Sequence, residues 1–449
     1  MAELKQKYDV VIVGTGVAGL NCALNLPKTK SILIICKKLP EESDSYLAQG
    51  GISRLRDDDD YDTYFEDTMR AGHYENNPAA VECMIKDSRE IIDDLISCGV
   101  EFEREADGSL AFTLEGGHSV PRICYHEDCT GQEITVKLLS AVNKLENVNI
   151  VFNVAMLDII EDDGQCRGIV VCDGNEGDKV KYIFSDYTVL ATGGVGGAFG
   201  NTTNFSALTG DALAISLRHG VAVDNINYIQ VHPTSLYTKK KGRRFLVSES
   251  VRGEGAHLLN KNMERFVDEL QPRDVVTKAV RAQMEKDGSE HVWLDLRPIP
   301  KEELASHFTQ IVKRCAEEGY DVYKECIPVV PAIHYFMGGI RSGLDGKTTM
   351  PRLYAIGETC CNGVHGKNRL ASNSLLESLV FAKRAAKDIG ANYSKPTGKS
   401  EKEIEKTIDG SEYADPAKLL KTYKKDVQNA VAMADAGQDV NLLFKEKLT

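Results

Sequence analysis

The segment LEGGHSVPR, at residues 114–122, gathers side chains that could bind a charged ligand. Its two adjacent glycines allow the backbone to approach a ligand closely, and Arg122 adds a positive charge that suits an anion. Glu115 places a carboxylate directly before the glycines, where it would repel such an anion. The segment therefore predicts a binding loop whose negative charge must be explained by the rest of the sequence.

A second pattern that could do chemistry is GTGVAG at residues 14–19. It follows the β-branched run at 10–13, which is typical of a strand buried in a parallel sheet, and it precedes a segment at 20–26 that predicts a helix. The strand SILIIC at 31–36 comes next. A strand, a glycine turn, a helix and a strand within about 30 residues are typical of a dinucleotide-binding βαβ unit, whose helix N-terminus receives a pyrophosphate. A glycine-rich turn without a ligand is the alternative.

The second strand departs from the usual nucleotide-binding pattern at its end. An Asp or Glu normally stands there and holds the ribose hydroxyls. Here the strand ends in Cys36, Lys37 and Lys38 instead. This departure weakens the case for NAD and leaves FAD open.

Charge and composition exclude several classes of partner. The net charge of −13 argues against nucleic acid or an anionic membrane surface, so an anionic substrate would need basic residues gathered in one site. The twelve cysteines include no CxxC pair, so we predict no metal, and such dispersed thiols fit a reducing cytoplasm. No run of about 18 apolar residues occurs, so we expect no membrane span.

Two further glycine turns follow predicted strands. ATGG at 191–194 ends the buried strand 186–190, and LYAIGE occupies 353–358. We therefore expect one sheet that is entered from both ends of the chain, with an insertion between them. The acidic run at 57–60 predicts a solvated loop.

A series of short motifs, taken in chain order, resembles the flavoproteins of the succinate dehydrogenase, fumarate reductase and L-aspartate oxidase superfamily. The motifs are GTGVAG, SYLAQGGIS at 45–53, LEGGHS, TVLATGG, HPTSLY at 232–237, SESVRGEGAHL at 248–258, PRDVV at 272–276, HYFMGGI at 334–340, AIGE and NRLASNSLLE at 368–377. The resemblance is closest to the L-aspartate oxidase family. It implies FAD-dependent oxidation of L-aspartate to iminoaspartate in de novo NAD biosynthesis, with electrons passing to oxygen or fumarate.

The resemblance also implies an α/β fold. We expect a Rossmann-like FAD-binding domain with an inserted α+β capping domain and a short C-terminal helical segment. The FAD-binding domain would comprise 1–225 and 336–390, the capping domain 226–335, and the C-terminal segment 391–449. Members of the superfamily usually end in a three-helix bundle, whereas this segment has room for about two helices.

Several residues match positions that bind substrate carboxylates in this superfamily. His232 and His334 resemble its two substrate-binding histidines, although a lone histidine is more often structural. Arg369 resembles the arginine that clamps a carboxylate, a task that suits a planar guanidinium. Ser248 stands where Thr is usual, and its hydroxyl keeps the hydrogen bond available.

Four other positions imply proton transfer or recognition of the amino group. Arg273 resembles a proton-shuttling arginine, and Glu249 with Arg252 would support a proton path, unless they form only an internal salt bridge. Dicarboxylate enzymes carry a neutral amide at the position of Glu115. We therefore expect the Glu115 carboxylate to pair with the α-ammonium of aspartate, the alternative being an exposed loop residue.

The cofactor implied by the resemblance is noncovalent FAD. Covalent members attach flavin to a histidine four residues before the Ala of AQGG, and here that residue is Asp44. Lys37 would replace the missing acid near the ADP moiety. The residues expected to contact FAD are Gly14, Gly16, Val17, Ala18, Gly19, Lys37, Ser45, Gln49, Gly50, Gly51, Ala191, Gly193, Asp211, Glu358, Ser374 and Leu375.

Two other functions stay open at the level of sequence. A soluble fumarate reductase or succinate dehydrogenase flavoprotein subunit is the enzymatic alternative, against which Glu115 and Asp44 argue. A non-catalytic flavin-carrying scaffold is the other, and it would not need the intact set of histidines and arginines. Beyond L-aspartate and the electron acceptor, the resemblance makes quinolinate synthase a candidate partner, and we expect a cytoplasmic location.

Overall fold

The fold begins with a parallel βαβ unit at the N-terminus, in a computed structural model that describes residues 4–441 and 443. The strands, in chain order, are β1 Lys7–Val13, β2 Ile32–Cys36, β3 Ile52–Ser53, β4 Ile123–Cys124, β5 Val148–Phe152, β6 Val154–Asp162, β7 Gln165–Asp173, β8 Lys179–Leu190, β9 Val223–Asp224, β10 Ile229–Leu236, β11 His257–Leu259, β12 Val292–Asp295, β13 Ile327–Phe336, β14 Gly339–Arg341, β15 Leu353–Ala355 and β16 Cys360–Cys361.

The helices pack on the faces of the sheets or join them. In chain order they are α1 Val17–Asn25, α2 Asp44–Leu47, α3 Tyr61–Ala71, α4 Pro78–Ser97, α5 Thr130–Val142, α6 Asp211–Arg218, α7 Ser250–Gly253, α8 Arg273–Asp287, α9 Lys301–His307, α10 Thr309–Glu317, α11 Asn373–Ala391, α12 Glu401–Glu405 and α13 Pro416–Asp435. None of these helices combines the length and the apolar composition that crossing a membrane requires.

The largest sheet brings the three predicted glycine turns to one edge. Strand β1 lies between β2 and β8 and is parallel to both, β5 joins β2, and β15 runs parallel to the end of β8. Val13 of β1 and Ala355 of β15 are both in register with Leu190 of β8. Because parallel strands end at the same edge of a sheet, the turns that follow them lie side by side. The predicted α/β fold, entered from both ends of the chain, is confirmed.

Strand β8 is long enough to serve two kinds of pairing. Its first half pairs antiparallel with β7, which continues the sheet to β6, and its second half pairs parallel with β1. Both faces of its second half are buried, in keeping with the continuous apolar pattern predicted for a central strand. The helices α1 and α11 cover one face of the sheet and bury a shared apolar cluster.

The segment between the two parts of this sheet forms a second sheet with its own core. Its strand order is β10-β13-β12-β11, and all of its neighbouring strands are antiparallel. Helices α8, α9 and α10 contribute Val280, Leu304 and Ile311, respectively, to an apolar cluster shared with Val329 of β13. The domain boundaries at 226 and 335 stay a prediction, and β13 extends to Phe336.

The C-terminal segment packs against the antiparallel part of the large sheet. Its helices α12 and α13 agree with the expectation of about two helices beyond residue 390. The hydroxyl of Tyr423, on α13, donates to the Leu157 carbonyl over 2.6 Å, and Tyr413 donates to Asp158 over 2.8 Å. Residues 1–3, 442 and 444–449, at the ends of the first and last predicted domains, lie outside the described residues.

The acidic run at 57–60 is not wholly solvated, so that prediction was wrong for its last member. Asp60 is buried and accepts hydrogen bonds from Arg122, which is fully buried itself. Asp67 accepts a third hydrogen bond from this guanidinium at 2.7 Å. Arg122 is therefore a paired structural cation rather than an anion-binding group, because its charge is already matched by two carboxylates.

A charged histidine at the end of α6 links this helix to β6. The ring of His219 lies 2.7 Å from Asp158 Oδ1 through Nε2 and 2.9 Å from Glu161 Oε2 through Nδ1. Burial lowers the pKa of His219, but the hydrogen bonds and negative charges of these two carboxylates outweigh it and raise the pKa to about 9. The positive ring also lies at a helix C-terminus, where the helix dipole favours it.

This arrangement predicts a pH-dependent contribution to stability. Since the folded-state pKa is raised, the contribution is fully present below about pH 6.5 and is lost as pH rises through about 9. We expect His219→Gln to lower the free energy of unfolding by about 1–3 kcal/mol near pH 6 and by much less near pH 10. Chemical denaturation at both pH values measures this difference.

The control for this experiment is His126→Gln, because His126 is half-buried and has no ion pair among the described residues. Its cost in stability near pH 6 should be smaller than that of His219→Gln, because no ion pair is broken. An equal loss for His219→Gln at both pH values would mean that the imidazole is not charged in the folded protein.

Candidate active site

The glycine turns at the edge of the large sheet form one wall of a deep cleft. Gly14 adopts a φ of +120°, and a Cβ at this position would lie 2.0 Å from the Ala191 carbonyl oxygen. The turn after β1 therefore contacts the turn after β8 with no room for a side chain. Of the predicted cofactor residues, those that line the cleft are Gly14, Gly16, Ala18, Lys37, Ser45, Gln49, Gly50, Gly51, Ala191, Gly193, Asp211, Glu358, Ser374 and Leu375.

Two predicted cofactor residues, Val17 and Gly19, do not line the cleft, and their contact with FAD stays a prediction. The Val17 side chain is buried in the core, and its N–H lies 3.3 Å from Ser45 Oγ. A Cβ on Gly19 would lie 2.1 Å from the Gly14 carbonyl oxygen. Gly19 thus allows helix α1 to pack closely on strand β1, and it does not face the cleft.

The acid missing from the end of β2 is supplied by another element. Lys37 Nζ lies 2.6 Å from Asp211 Oδ2, and it also reaches Thr209 Oγ1 at 3.3 Å. Asp211 is the first residue of α6 and lines the same cleft as Lys37. A carboxylate is therefore present near the end of β2, and Lys37 neutralises it.

Two buried carboxyl groups, Asp44 and Glu358, also line the cleft. Asp44 accepts hydrogen bonds from the Asn204 side chain and from the Phe205 N–H, while Glu358 Oε1 accepts from the Phe336 N–H at 2.9 Å. Burial raises the pKa of Asp44 to about 7. Burial, together with the charge of Asp44, raises the pKa of Glu358 to about 8. Near neutral pH these groups can therefore donate hydrogen bonds as well as accept them.

The long arm of the cleft fits a dinucleotide such as FAD. Helix α1 begins beside Gly16 at one wall, and the first turn of α11 supplies Ser374 and Leu375, so both helix N-termini face a site suited to phosphate. Gln49 Oε1 is a buried acceptor for which the described residues provide no hydrogen-bond donor. A bound polar molecule would satisfy it.

The other end of the cleft contains two neutral histidines in contact. The rings of His232 and His334 are 5.2 Å apart, edge to face, and both line the pocket, where His232 is fully buried and His334 is half-buried. Thr203 Oγ1 lies 2.8 Å from His334 Nδ1, while His232 Nε2 has no hydrogen-bond partner within the described part of the chain. Burial, reinforced by the positive charge of Arg273, holds the pKa of each histidine well below its ordinary value.

The guanidinium group of Arg369 lies over the Tyr335 ring at the same end of the cleft. Its guanidinium carbon lies 4.4 Å from the centre of the Tyr335 ring, and its Nη1 atom lies 3.3 Å from Ser374 Oγ. Burial and the nearby charge of Arg273 lower the pKa of Arg369 to about 9. Its Nε donor is buried and lacks an acceptor among the residues that the structure describes. A carboxylate ligand would provide that acceptor.

Glu249 lies between two arginines at the beginning of α7. Arg273 Nε donates to Glu249 Oε2, and Arg252 Nη2 lies 3.2 Å from Glu249 Oε1. Burial by itself raises the pKa of Glu249, but the charges of Arg273 and Arg252 outweigh it and hold the pKa below its ordinary value. Ser248 stands at the start of this segment, and its Oγ accepts from the Ser250 N–H at 3.2 Å.

Glu115 is buried in the cleft wall rather than exposed on a loop. Its Oε1 accepts a hydrogen bond from Ser250 Oγ at 2.9 Å, and its Oε2 accepts one from Ser372 Oγ. A Cβ on Gly50 would lie 2.1 Å from Glu115 Oε1, so this glycine makes room for the carboxylate. Burial, and then the charge of Glu249, raise the pKa of Glu115.

The site as a whole brings opposite charges together in a closed space. Around Glu249, the guanidinium groups of Arg252, Arg273 and Arg369 lie near two carboxylates, those of Glu249 and Glu115, so this group has one positive charge in excess when both carboxylates are ionised. The substrate-end residues that the sequence predicts all line the cleft, namely Glu115, His232, Ser248, Glu249, Arg273, His334 and Arg369. The arrangement suits a small anion that also carries one cationic group.

Some residues that shape this site were not expected from the sequence. Gln230 accepts from Arg273 at 2.9 Å and donates to the Arg369 carbonyl at 2.8 Å, so it holds the two arginines together. Thr203 fixes His334, and Ser372 fixes Glu115. Ser372 occurs within a quoted motif, but neither Thr203 nor Gln230 has a spacing that indicates its role.

Comparison with known proteins identifies close relatives over most of the chain. Residues 9–375 match the FAD binding domain family. An L-aspartate oxidase of Clostridium perfringens is 46% identical over 86% of this chain and 88% of its own length. An L-aspartate oxidase of Clostridium acetobutylicum is 45% identical over the same shares of both chains. Among solved structures, a variant of E. coli quinol fumarate reductase is 31% identical with a TM-score of 0.83, covering 90% of this chain and 74% of that one.

The position of Asp44 predicts that bound FAD is released intact on denaturation. Covalent attachment requires a nucleophilic side chain such as histidine, whereas the Asp44 carboxylate is engaged by Asn204 and the Phe205 N–H. We expect heat or acid to release all of the flavin as FAD, measured by chromatography of the supernatant. Flavin that stays on the precipitated chain would contradict this expectation.

Proposed function

The chain belongs to the L-aspartate oxidase family of FAD-binding flavoproteins, and we propose that it oxidises L-aspartate to iminoaspartate in de novo NAD biosynthesis. The resemblance predicted from the sequence motifs is thereby confirmed. FAD, when bound, supplies the acceptor for the hydride that leaves the substrate α-carbon. The cleft residues described above fit this cofactor, and the reacting end lies among the histidines and arginines.

The observation that carries this proposal is the buried carboxylate of Glu115 among cationic groups. A plain dicarboxylate has no group that such a carboxylate could pair with, so it gains nothing from this contact. The α-ammonium of aspartate can instead form a charge-assisted hydrogen bond with it. Ser250 and Ser372 hold the Glu115 side chain in place, so little conformational entropy is lost on binding.

The two substrate carboxylates are matched by the remaining polar groups. Arg369 offers its unsatisfied Nε donor, and its guanidinium is preorganised by Tyr335 and Ser374. His232 and His334 offer neutral rings whose low pKa values keep them uncharged at neutral pH. We assign these three residues to hold the carboxylates and to fix the α-carbon in one orientation, which contributes to the rate by positioning.

Oxidation at the α-carbon also requires that the amino group lose a proton. The raised pKa of Glu115 makes its carboxylate a better proton acceptor than an ordinary one, so we assign it this role as well as recognition. Arg273 lines the site but is paired with Glu249, and an arginine is a poor proton acceptor. We therefore assign Arg273 to charge balance and positioning in aspartate oxidation.

The electron acceptor and the setting of the reaction complete the proposal. The likeness to a quinol fumarate reductase supports fumarate as an electron acceptor, with oxygen as the other. The twelve cysteines are all free, which supports action in a reducing cytoplasm. Iminoaspartate would then pass to quinolinate synthase, the partner that the sequence resemblance implies. Anaerobic turnover of L-aspartate with and without fumarate tests the assignment of the acceptor.

The first test removes only the charge of Glu115. Glu115→Gln should lower kcat/KM for L-aspartate about 10- to 100-fold, because a hydrogen bond to a charged group contributes roughly 1.5–3 kcal/mol. Fumarate reduction with a reduced dye should change little, since fumarate has no ammonium group. Steady-state kinetics with both substrates measures the two effects.

Glu105→Gln is the matched control, because Glu105 is exposed and carries the same charge. It should leave both reactions unchanged. If Glu115→Gln reduces both reactions equally, the carboxylate merely supports the loop, and the alternative of a fumarate reductase flavoprotein gains weight.

A second test concerns the geometry of the carboxylate clamp. Arg369→Lys keeps the positive charge but loses the planar group that packs on Tyr335. We expect kcat/KM for L-aspartate to fall on the order of 10-fold or more at saturating FAD. Arg384→Lys, at a half-exposed arginine on α11, should have no such effect. Unchanged kinetics for Arg369→Lys would remove this residue from the binding site.

A further inference from the structure

A second group of polar residues, outside the cleft, has the composition of a metal site. One ligand atom from each of Glu254, Glu303 and His307 lies within 4.8 Å of the others. We propose that these three residues bind a divalent transition-metal ion of the Zn²⁺ type. The ion would have a structural role, and neither FAD nor aspartate would contact it.

Two short helices bring the proposed ligands together. Glu303 and His307 are four residues apart on α9, so their side chains share one face of that helix. Glu254 directly follows the last residue of α7, which it caps. Its Oε1 accepts a hydrogen bond from Thr113 Oγ1 at 2.9 Å, and this contact restricts the carboxylate to the side of α9.

The state of the histidine points to a ligand. The His307 side chain is only 4% exposed, and its Nδ1 has no hydrogen-bond partner among the described residues. This nitrogen nevertheless lies 3.5 Å from Glu303 Oε1. The ring is fixed by Tyr125 and Phe308, with ring centres at 4.4 and 4.3 Å. A buried nitrogen left without a partner costs free energy, and coordination of an ion would satisfy it.

Comparison with His219 separates this group from an ordinary ion pair. His219 also faces two carboxylates, but each of its ring nitrogens is already hydrogen-bonded, at 2.7 and 2.9 Å. No lone pair remains there for a metal. The composition of the two groups is the same, so the free nitrogen of His307 is the feature that favours coordination.

The surroundings of the group are electrostatically suited to a cation. Two of the three proposed ligands are carboxylates, and within the described part of the chain neither Glu254 nor Glu303 forms an ion pair with a lysine or an arginine, so negative charge is in excess there. A divalent ion would compensate this excess.

The geometry and the donor types favour zinc over calcium or magnesium. In a tetrahedral site with bonds of about 2.0–2.2 Å, neighbouring ligand atoms lie roughly 3.3–3.6 Å apart. The Glu303 and His307 atoms already have this spacing, at 3.5 Å, and a small rotation of the Glu254 side chain would complete the set. Calcium and magnesium prefer oxygen ligands alone, whereas an imidazole nitrogen suits zinc. Water would fill the fourth position.

An ion here would connect α9 to the segment that carries Glu249 and Arg252. Helix α7 begins at Ser250 and includes Arg252, and its last residue packs on the Glu115 segment, since a Cβ on Gly253 would lie 2.2 Å from the Leu114 carbonyl. Joining Glu254 to α9 would therefore stiffen this segment from its outer side. We expect the ion to raise thermal stability without entering the reaction.

The test uses the FAD-loaded full-length protein, without an affinity tag, after removal of metals with a chelator. Equilibrium dialysis against Zn²⁺ followed by elemental analysis should give one tightly bound ion per chain and a raised melting temperature. His307→Gln should weaken Zn²⁺ binding about 100-fold or more and abolish the thermal shift. Glu302→Gln is the control, because it removes one negative charge from an exposed position of α9 that does not face the proposed ion. This variant should bind Zn²⁺ normally.

Retained FAD and aspartate turnover show that each variant is folded, and Glu303→Gln provides a second ligand variant. Normal Zn²⁺ binding by both His307→Gln and Glu303→Gln would overturn the proposal, since the ion would then be bound elsewhere, for example by cysteines. Absence of a tightly bound ion in the unsubstituted protein would also overturn it. Loss of binding in these two variants, with binding kept in Glu302→Gln, is the supporting result.

Discussion

The close contact between the turn after β1 and the turn after β8 determines where everything else in the active site can lie. Only a glycine fits at position 14, because a Cβ would meet the Ala191 carbonyl at 2.0 Å. This contact requires β1 and β8 to be adjacent, parallel and in register at their ends. The edge of the sheet where β1 and β8 end determines the position of the cleft. It also determines where the N-terminus of α1 lies and where the inserted segment begins.

The reacting end depends on a different constraint, which is the balance of buried charge. Arg252, Arg273 and Arg369 could not be buried together without Glu249 and Glu115 beside them. The balance is set by contacts across distant parts of the chain, since Glu249 bonds Arg273 while Ser250 and Ser372 bond Glu115. The carboxylate that we propose to recognise the substrate amino group therefore belongs to the same network that allows the arginines to be buried.

The sequence predicted most of the cofactor cleft, because local patterns determine it. The run before Gly14 and the turns at 191–194 and 353–358 mark strand ends, and the order of the motifs defines the family. Contacts between segments that are far apart were less accessible. Asp60 was expected in solvent, although it pairs with Arg122, and the close approach of Gly19 to the Gly14 carbonyl was not predicted. In each case the contact depends on how distant segments pack in the folded protein, and no spacing in the sequence indicates it.

The inserted segment enters and leaves the large domain through neighbouring strands, since Ile229 of β10 is paired with Phe336 of β13. This arrangement has a consequence for folding kinetics. Strand β15 and helix α11 must pack against strands that lie far earlier in the sequence. Such packing would ordinarily require the closure of a very long loop. Once the inserted sheet has formed, its two ends are already side by side. The folded insertion then acts as a short connection between the two parts of the large domain. The pairing of β15 with β8, which is distant in sequence, thereby requires the closure of only a short loop.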